Sequence, residues 1–513
     1  MSTESPENVL FVVMDTVRKD RLTPYGYDRP TTPNLADFAA EATVFEQAVA
    51  PAPWTLPVHA SLFTGLYPSQ HGADQENPYL EGATTLAETL SAAGYDTACY
   101  SSNAWITPYT HLTDGFDDQD NFFEVMPGEL LSGPLARAWK VMNDNESLRA
   151  VADKLVSLGN TAHEYFAGGG GADSKTPAVI DRAMEFVDGA DRSFAFINLM
   201  DAHLPYHPPE EFAAEFAPGV DSETVCQNSK EYNSGARDID DDEWDAIGGL
   251  YDAEIAHIDD QLGRLFDWLK AAGRWDDTMV VVCADHGELH GEHDLYGHEF
   301  CVYDPLINVP LLIKHPDIDA DRRDDQVELL DLYHTVLDAL DVPADGPAAD
   351  GAVPLDTTRS LVADDYRAFD GLADADRDPG QRGDGAYAFV EYSRPVVELT
   401  QLEEKAADAG IDLSSESRFY SRMRAARRTD AKYVRIDRID DEAYRLDRDH
   451  GETDDLAGGD DPAVGETEAV LSAFESAAGG AWTDALDDDV SDDTVDEMDD
   501  EAQERLRDLG YLE

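Results

Sequence analysis

Two aspartates and a histidine follow apolar runs in this sequence. The run VLFVVMD ends at Asp15, and MVVVCADHGE contains Asp285 and His286. Carboxylate oxygens suit hard divalent cations, and an imidazole adds affinity for transition metals. Each of these residues alone is also common as a structural feature at a strand end. Together they predict a metal centre.

A threonine precedes a predicted helix in the segment PAPWTLPVHASLFTG, residues 51–65. Pro57 suits the first helical turn, with VHASLFTG continuing the helix. Thr55 would then lie in or next to the capping position, where a hydroxyl oxygen accepts a backbone hydrogen bond. Alternatively, the helix dipole and a metal would lower the pKa of its hydroxyl and make it a nucleophile and a fourth metal ligand. Both roles remain open at this point.

Several histidines could act on the same anion. His59 lies four residues after Thr55, on the same helical face, unless it is a surface histidine. His203 in MDAHLPYHPP and His298 in EHDLYGHEF are candidates for a cation, a general acid or a second-metal ligand. A second metal would require Asp201, His203 and His298 to converge.

The elements that must position these residues alternate between strands and helices. Short Val/Ile/Phe-rich runs are typical of strands buried on both faces, and helical patterns at 84–94, 177–189 and 251–273 separate them. This order predicts an α/β fold with a doubly wound, mainly parallel sheet, in which ligands bind beyond the carboxyl ends of the strands. The candidate residues at such ends are Asp15, Asn103, Asp201, His203, Asp285 and His286.

The chain divides into three predicted parts. Residues 1–385 form the main α/β domain, with an insertion at 117–175. Residues 386–475 form a small α+β subdomain, in which AYAFVEY, AKYVRID and EAYRLDR are antiparallel strands and a helix lies near 398–409. Residues 476–513 are an acidic tail that ends in a short amphipathic helix.

The charge of the chain is strongly negative. It has 109 acidic residues against 37 Lys and Arg, a formal charge of −72, while 42% of its residues are hydrophobic. This balance argues against nucleic acid and anionic membranes as partners, and an anionic substrate would need a local cation. We expect a folded protein adapted to molar salt, where charge repulsion is screened.

The remaining composition predicts a soluble, cytoplasmic protein. The four cysteines, Cys99, Cys226, Cys283 and Cys301, show no paired spacing, so a disulfide framework is not expected. The amino-terminal residues lack the pattern of a signal peptide, and no apolar run reaches membrane-spanning length.

Taken in order, these segments resemble the sulfatase family of the alkaline phosphatase superfamily, and the acidic composition suggests a haloarchaeal-type member. The resemblance is carried by NVLFVVMDTVRKDRLTPYG, APWTLPVHASLFTGLYPSQHG, NLMDAHLPY, CADHGELHGEHDLYGH and NVPLLIKHP. It implies that Thr55 is the nucleophile and that His203 aids the leaving group. Asp15, Asp285 and His286 match the family's metal ligands. His298 falls at the usual place of a substrate-binding lysine, and we also expect Asn103 and Asp201 to contact substrate.

Three positions depart from the family pattern. Many sulfatases form formylglycine in a Cys/Ser-x-Pro-x-Arg segment, whereas this chain has Thr55, Pro57 and His59 there, so we expect no formylglycine. Thr16 stands where many members have a second aspartate. Asn103 and the serines before it occupy a region that often contains a lysine and a histidine.

These observations predict a metal-dependent hydrolase of sulfate or phosphate esters. The substrate would be a small-molecule, glycan-linked or lipid-linked ester. Zinc or manganese is favoured over calcium or magnesium because His286 is a nitrogen ligand. The alternatives are a phosphodiesterase or phospho-group transferase of the same superfamily, and a non-catalytic anion-binding protein.

Overall fold

An eight-stranded sheet forms the centre of the molecule. The computed structural model describes residues 6–122, 174–343, 353–363 and 386–476. The strands, in chain order, are β1 (Asn8–Met14), β2 (Thr43–Val49), β3 (Asp96–Ser101), β4 (Asp118–Asn121), β5 (Ser193–Leu199), β6 (Thr278–Cys283), β7 (Leu289–His290), β8 (Tyr296–Gly297), β9 (Asn308–Lys314) and β10 (Asp321–Glu328). The sheet order is β10-β2-β9-β6-β1-β5-β3-β4, and β7 pairs with β8 in a separate ribbon.

The sheet is mainly parallel, which confirms the predicted fold class. β1 lies between β5 and β6 and is parallel to both, and β3 continues the parallel order from β5 to β4. β9 is antiparallel to both of its neighbours, β2 and β6. Every residue of β1, β5 and β6 is buried, as expected for strands covered on both faces.

Helices cover the sheet. Their bounds, in chain order, are α1 (Pro33–Ala39), α2 (Thr55–Thr64), α3 (Pro68–His71), α4 (Leu86–Ala92), α5 (Thr176–Gly189), α6 (Glu210–Phe216), α7 (Ser229–Asn233), α8 (Asp241–Ala272), α9 (Asp304–Ile307), α10 (Asp331–Ala339), α11 (Val396–Ala409) and α12 (Pro462–Phe474). The helices predicted at 84–94, 177–189 and 251–273 correspond to α4, α5 and α8. α8 begins ten residues before the predicted start, where Asp240 caps it by accepting from the Glu243 amide. Two glycines in its first half obscure the apolar period in the sequence.

The smaller carboxyl-terminal domain contains a four-stranded antiparallel sheet, β11-β12-β13-β14. Its strands are β11 (Ala388–Tyr392), β12 (Met423–Arg428), β13 (Ala431–Ile436) and β14 (Glu442–Tyr444). β12 was not predicted, because its sequence MRAARR carries three arginines. All six residues are nevertheless buried.

The stretch predicted as an insertion begins inside the main sheet. β4 pairs in parallel with β3, so the first residues of 117–175 belong to the sheet edge. The rest of that stretch, up to residue 173, and the acidic tail after Ser476 lie outside the described residues. None of the helices in the described part of the chain is long and apolar enough to cross a membrane.

Candidate active site

Two neighbouring strands bring the predicted metal ligands together. Asp15 directly follows β1, Asp285 lies two residues after β6, and these strands are parallel. The ligand atoms of Asp15, Asp285 and His286 all lie within 4.8 Å of one another, and all three residues are fully buried. The predicted Asp-Asp-His cluster is therefore present at the carboxyl edge of the sheet.

Each of the two carboxylates has one oxygen with no hydrogen-bond partner among the described residues. Asp15 Oδ2 accepts from the side-chain amides of Asn103, at 2.8 Å, and Asn198, at 3.1 Å. Asp15 Oδ1 is buried and has no hydrogen-bond partner among the described residues. Since an unpaired buried anionic oxygen is costly, this arrangement suits a cation beside Oδ1.

In Asp285, too, one carboxylate oxygen is hydrogen-bonded and the other is not. Its Oδ1 accepts from the backbone amides of Thr16, at 3.2 Å, and His286, at 2.9 Å. Its Oδ2 is buried with no hydrogen-bond partner within the described ranges. Burial raises the pKa of Asp285, and the nearby charge of Asp15 raises it further. A bound cation would offset both effects.

The tautomer of His286 suits metal binding. Its Nδ1 lies 3.0 Å from the carbonyl oxygen of Gly287, so this nitrogen carries the proton and donates it. The lone pair is therefore on Nε2, which lies 3.5 Å from Asp285 Oδ2 and 3.4 Å from Thr55 Oγ1. Burial lowers the pKa of His286 well below its usual value, so the ring is neutral, as a metal ligand must be.

Thr55 is the first residue of α2 rather than its cap. The N-cap is Trp54, and no side chain caps this helix. The Thr55 hydroxyl instead lies near His286 Nε2 and 3.5 Å from Asn103 Nδ2. The capping alternative is thus not observed, and the hydroxyl lies at the positive end of a helix dipole beside the Asp-Asp-His cluster.

Thr16, at the position where the family often has an aspartate, joins two strand ends. Its hydroxyl donates to the carbonyl oxygen of Ala202, at 2.6 Å. Its φ angle is 57°, which is rare for a β-branched residue and costs of order 1 to 3 kcal/mol. This conformation places its amide against Asp285 Oδ1, so Thr16 positions a cluster residue through its backbone.

A cavity opens next to Thr55. Its lining includes four residues predicted from the sequence, Thr55, Asn103, His203 and His298. Lys230 of α7, Glu299, two tryptophans and the small-domain residues Tyr392 and Glu398 also line it. Of the residues predicted for the site, neither His59 nor Asp201 is among the described residues that line this cavity.

His203 and His298 lie side by side in this cavity, with ring centroids 5.2 Å apart. His203 Nδ1 donates to the carbonyl oxygen of Leu204, at 2.6 Å. His298 Nδ1 lies 3.1 Å from Oε1 of Glu288, a fully buried carboxylate. Burial lowers the pKa of His298, but the carboxylates of Glu288 and Glu299 outweigh it and raise the pKa to about 9. The cavity therefore contains an imidazolium at neutral pH.

His59 lies behind the Asp-Asp-His cluster, not toward the cavity. Its Nδ1 donates to the carbonyl oxygen of Thr55, at 2.9 Å, and its ring packs edge-on against Phe63 and Phe196. Burial lowers its pKa, so the ring is neutral. His59 is fully buried, which excludes the surface alternative, and it does not line the cavity.

Asp201 is turned away from the site. Its carboxylate accepts from the Thr176 hydroxyl at the start of α5 and lies 3.9 Å from His257 Nε2. The predicted convergence of Asp201 with His203 and His298 does not occur. Within the described ranges, the only group with metal-ligand geometry is that of Asp15, Asp285 and His286.

Several site residues were not predicted. Asn198 lies near the end of β5, which neighbours β1, and it donates to Asp15. Its place near a strand end is the signal from which the sequence could have predicted it. Glu299 directly follows His298 in EHDLYGHEF, whereas Lys230 and Glu398 belong to no motif and only the tertiary structure brings them to the cavity wall.

A hydroxyl beside a buried Asp-Asp-His cluster, at the carboxyl edge of a mainly parallel sheet, is typical of metal-assisted ester-cleaving enzymes. Comparison with known proteins agrees with this class. The sulfatase family model matches residues 7–342, and the chain belongs to the sulfatase family of ester hydrolases.

The chain is similar to several known proteins, at less than 30% sequence identity in each of the following cases. An uncharacterized sulfatase, YidJ, of Escherichia coli K12 is 26% identical over 361 residues, covering 65% of this chain and 68% of the relative. The multifunctional alkaline phosphatase superfamily protein PehA of Trinickia caryophylli is 28% identical, covering 65% and 74%. The phosphonate monoester hydrolase of Agrobacterium radiobacter has the same fold, with a TM-score of 0.61, 22% identity and coverage of 92% and 96%.

Proposed function

We propose that this protein hydrolyses sulfate or phosphate-type esters with Thr55 as nucleophile and a divalent ion held by Asp15, Asp285 and His286. The observation that carries the proposal is the position of the Thr55 hydroxyl, 3.4 Å from the unprotonated Nε2 of His286 and on the cavity wall. The two unpaired carboxylate oxygens and this lone pair fit a cation. The nitrogen ligand favours zinc or manganese over calcium or magnesium.

A divalent ion held by Asp15, Asp285 and His286 would lower the pKa of the Thr55 hydroxyl and neutralise charge on the ester oxygens. Thr55 Oγ1 releases its proton to water, attacks the sulfur or phosphorus atom and forms a covalent Thr55 ester, while the bond to the alcohol oxygen breaks. Asn103 Nδ2, 3.5 Å from Thr55 Oγ1, donates toward the anionic group. Water cleaves the Thr55 ester and regenerates the hydroxyl.

His203 acts on the leaving alcohol oxygen of the ester, and His298 acts on a non-bridging oxygen. His203 donates through Nδ1 to a backbone oxygen, which leaves Nε2 to hold the proton that the leaving alcohol oxygen takes. The His298 imidazolium, paired with Glu288, binds a non-bridging oxygen of the ester. It supplies the local cation that an anionic substrate needs in so acidic a protein.

The threonine favours phosphate-type esters. A formylglycine hydrate can expel sulfate from its covalent intermediate by elimination, whereas a threonine ester needs a second attack by water or another acceptor. The likeness to PehA and to a phosphonate monoester hydrolase agrees with phospho-ester chemistry, and the sulfatase relatives keep sulfate esters as the second candidate. An acceptor other than water would make the protein a phospho-group transferase.

We also propose that the protein works in concentrated salt. Its formal charge of −72 over 513 residues is distributed along the whole chain, and screening by ions would reduce the repulsion between these charges. Activity measurements therefore belong in high salt.

A panel of esters tests the proposal. Metal-depleted protein is assayed in concentrated KCl with sulfate monoesters, phosphate monoesters and phosphate diesters, after zinc, manganese, magnesium or calcium is restored. We expect hydrolysis of at least one class, dependent on metal and lost by more than about 1,000-fold in Thr55→Ala.

Thr64→Ala is the matched control. Thr64 lies at the other end of α2, where its hydroxyl donates to the Ala60 carbonyl. This variant should keep most of the activity. Equal activity in Thr55→Ala and in the wild type would refute the nucleophile, and metal and anion binding without turnover of any ester would indicate a non-catalytic binding protein.

A further inference from the structure

A mixed polar cluster forms one wall of the cavity beyond His298. Lys230 of α7, Glu299 and Glu398 of α11 all line the cavity. The Lys230 ammonium donates to Glu299 Oε1, and the Glu299 side chain is only 5% exposed. Glu299 Oε2 is buried and has no hydrogen-bond partner among the described residues. The cluster therefore has unused hydrogen-bonding capacity next to the reaction centre.

Gln75 fixes the orientation of Glu398. Its side-chain oxygen accepts from the Val397 amide, at 2.9 Å, and its side-chain nitrogen donates to Glu398 Oε2. Because Val397 and Glu398 are consecutive on α11, Gln75 joins the main domain to this helix at the cavity. The hydrogen bond from Gln75 thus holds the Glu398 carboxyl group at the cavity wall.

The cluster presents donors and acceptors close together, with no surplus positive charge. Burial lowers the pKa of Lys230, but the carboxylates of Glu299 and Glu398 outweigh it and raise the pKa, so the ammonium is charged. One ammonium is offset by two carboxyl groups, so a second anion on the substrate would be repelled. A hydroxyl fits both, since it donates to a carboxylate while its oxygen accepts from an ammonium.

Aromatic rings complete this part of the cavity. Trp54 and Trp105 line it, with ring centroids 5.8 Å apart in an edge-to-face arrangement, and Tyr392 lines it from β11. Apolar ring faces beside paired donors and acceptors are suited to a ring-shaped alcohol that carries hydroxyl groups.

We propose that Lys230, Glu299 and Glu398 form a leaving-group subsite that selects an uncharged, hydroxyl-bearing alcohol portion and disfavours one with a second anionic group. This inference rests on the proposed function, because it concerns the alcohol that Thr55 displaces. Glu398 is its specificity-determining residue on the small domain, which makes that domain part of the site.

The test compares two esters of the acid that the panel identifies: a 4-nitrophenyl ester, which has no hydroxyl beyond the ester, and a monosaccharide monoester. In Glu398→Gln, kcat/KM for the sugar ester should fall roughly 10-fold or more, through KM, while the aryl ester changes less than about 2-fold. Glu404→Gln is the matched control, because Glu404 is exposed on the same helix. Wild-type protein should also prefer the sugar monoester to the same sugar with a second acid group esterified to another hydroxyl.

Equal losses on both esters in Glu398→Gln, or no loss on either, would overturn the subsite. Binding of the sugar ester to Thr55→Ala, measured by saturation-transfer NMR with and without Glu398→Gln, separates the subsite from turnover. If the wild type hydrolyses no ester, the proposed function fails, and a loss of binding on Glu398→Gln still supports the subsite. Unchanged binding would refute it.

Discussion

At the scale of single residues, the site is organised around two negative charges that are buried next to each other. Asp15 and Asp285 are fully buried, and each keeps one oxygen without a hydrogen bond among the described residues. Such an arrangement destabilises the metal-free protein, because burial and the nearby charge of Asp15 both disfavour ionisation of Asp285. A bound cation would make this pair of carboxylates favourable. The two buried carboxylates would therefore cause both the affinity for metal and the lower stability of the metal-free protein.

Replacing Asp15 by asparagine should separate these two effects. Asp15→Asn removes one of the two charges, so the melting temperature of the metal-free protein should stay the same or rise. Metal affinity should fall by more than about 100-fold, since losing a direct ligand costs more than losing a residue that only orients a ligand. The rise in melting temperature on adding zinc or manganese should disappear.

Calorimetry and thermal melts with and without metal measure both quantities. Asp276→Asn, at an exposed position, serves as the control and should bind metal like the wild type. Full metal stabilisation in Asp15→Asn would contradict the ligand assignment.

The sequence predicted the Asp-Asp-His cluster better than the residues around it. Asp15, Asp285 and His286 were predictable because parallel strand ends converge whatever the loops do. Asp201 also follows a strand, but its side chain turns toward Thr176, and strand position alone does not determine that direction. His59 packs against Phe63 and Phe196, and the helical period alone did not predict that this face of α2 is buried.

At the scale of elements, α2 is the feature that presents Thr55. All ten of its residues are buried, so its position is fixed by packing on every side. His71, just after this helix, holds it in place. His71 Nδ1 accepts from the Ala73 amide, at 3.1 Å, and Nε2 lies 3.1 Å from the Ser61 hydroxyl on α2.

Protonation of His71 should destabilise the fold in mild acid. Burial lowers the pKa of His71 to about 3, below its usual value, so the unfolded chain binds a proton that the folded chain does not. Stability is therefore complete above the ordinary histidine pKa and is lost as pH falls below it, by about 2 kcal/mol at pH 5 for this residue.

Denaturant unfolding in high salt at pH 7.5 and pH 5 measures the effect. His71→Gln should lose less free energy of unfolding than the wild type between these pH values. His111→Gln, at an exposed position, should follow the wild type. Identical pH dependence in His71→Gln and the wild type would exclude this role.

The unpredicted strand β12 connects the two domains. Arg427 is 2% exposed and donates to Asp304, at 2.8 Å, to Gln326, at 2.6 Å, and to Gln47, at 2.8 Å. Arginine-rich sequence normally indicates an exposed segment, so MRAARR gave no sign of a buried strand. The partners that permit its burial are 101 to 380 residues away in the chain.

Arg427→Met should therefore lower the free energy of unfolding by about 3 to 5 kcal/mol, because it removes the donor to Gln326 and Gln47 and leaves Asp304 only the Lys432 ammonium. Arg448→Met is the control, since Arg448 is 56% exposed, and it should cost less than about 1 kcal/mol. Chemical denaturation of the two variants measures the difference, and equal costs would show that the buried network does not stabilise the fold.

At the scale of the whole molecule, charge and domain arrangement are linked to the site. A formal charge of −72 produces self-repulsion over the entire surface, while the cavity retains the cationic His298 and Lys230. The small domain contributes Tyr392 and Glu398 to the cavity wall. The salt adaptation inferred from this acidity stays a prediction, and the composition did not predict that the small domain lines the cavity.

Stability should rise with salt. At about 0.1 M KCl the Debye length is roughly 10 Å, and near 1 M it is roughly 3 Å, so repulsion between surface carboxylates falls steeply. We expect the melting temperature to increase markedly between about 0.1 M and 3 M KCl. Sucrose at matched osmolality separates screening from exclusion effects. A melting temperature independent of KCl would refute the salt adaptation.

The central claim is that the Thr55 oxygen attacks the ester and carries its acid portion as a covalent intermediate. Acid quenching during turnover, followed by mass spectrometry of the peptide that contains residues 51–65, tests this directly. The account predicts an added mass of about 80 Da on Thr55, for either a sulfuryl or a phosphoryl group, and none in Thr55→Ala. Sustained turnover with an unmodified Thr55, or an adduct on another residue, would contradict it.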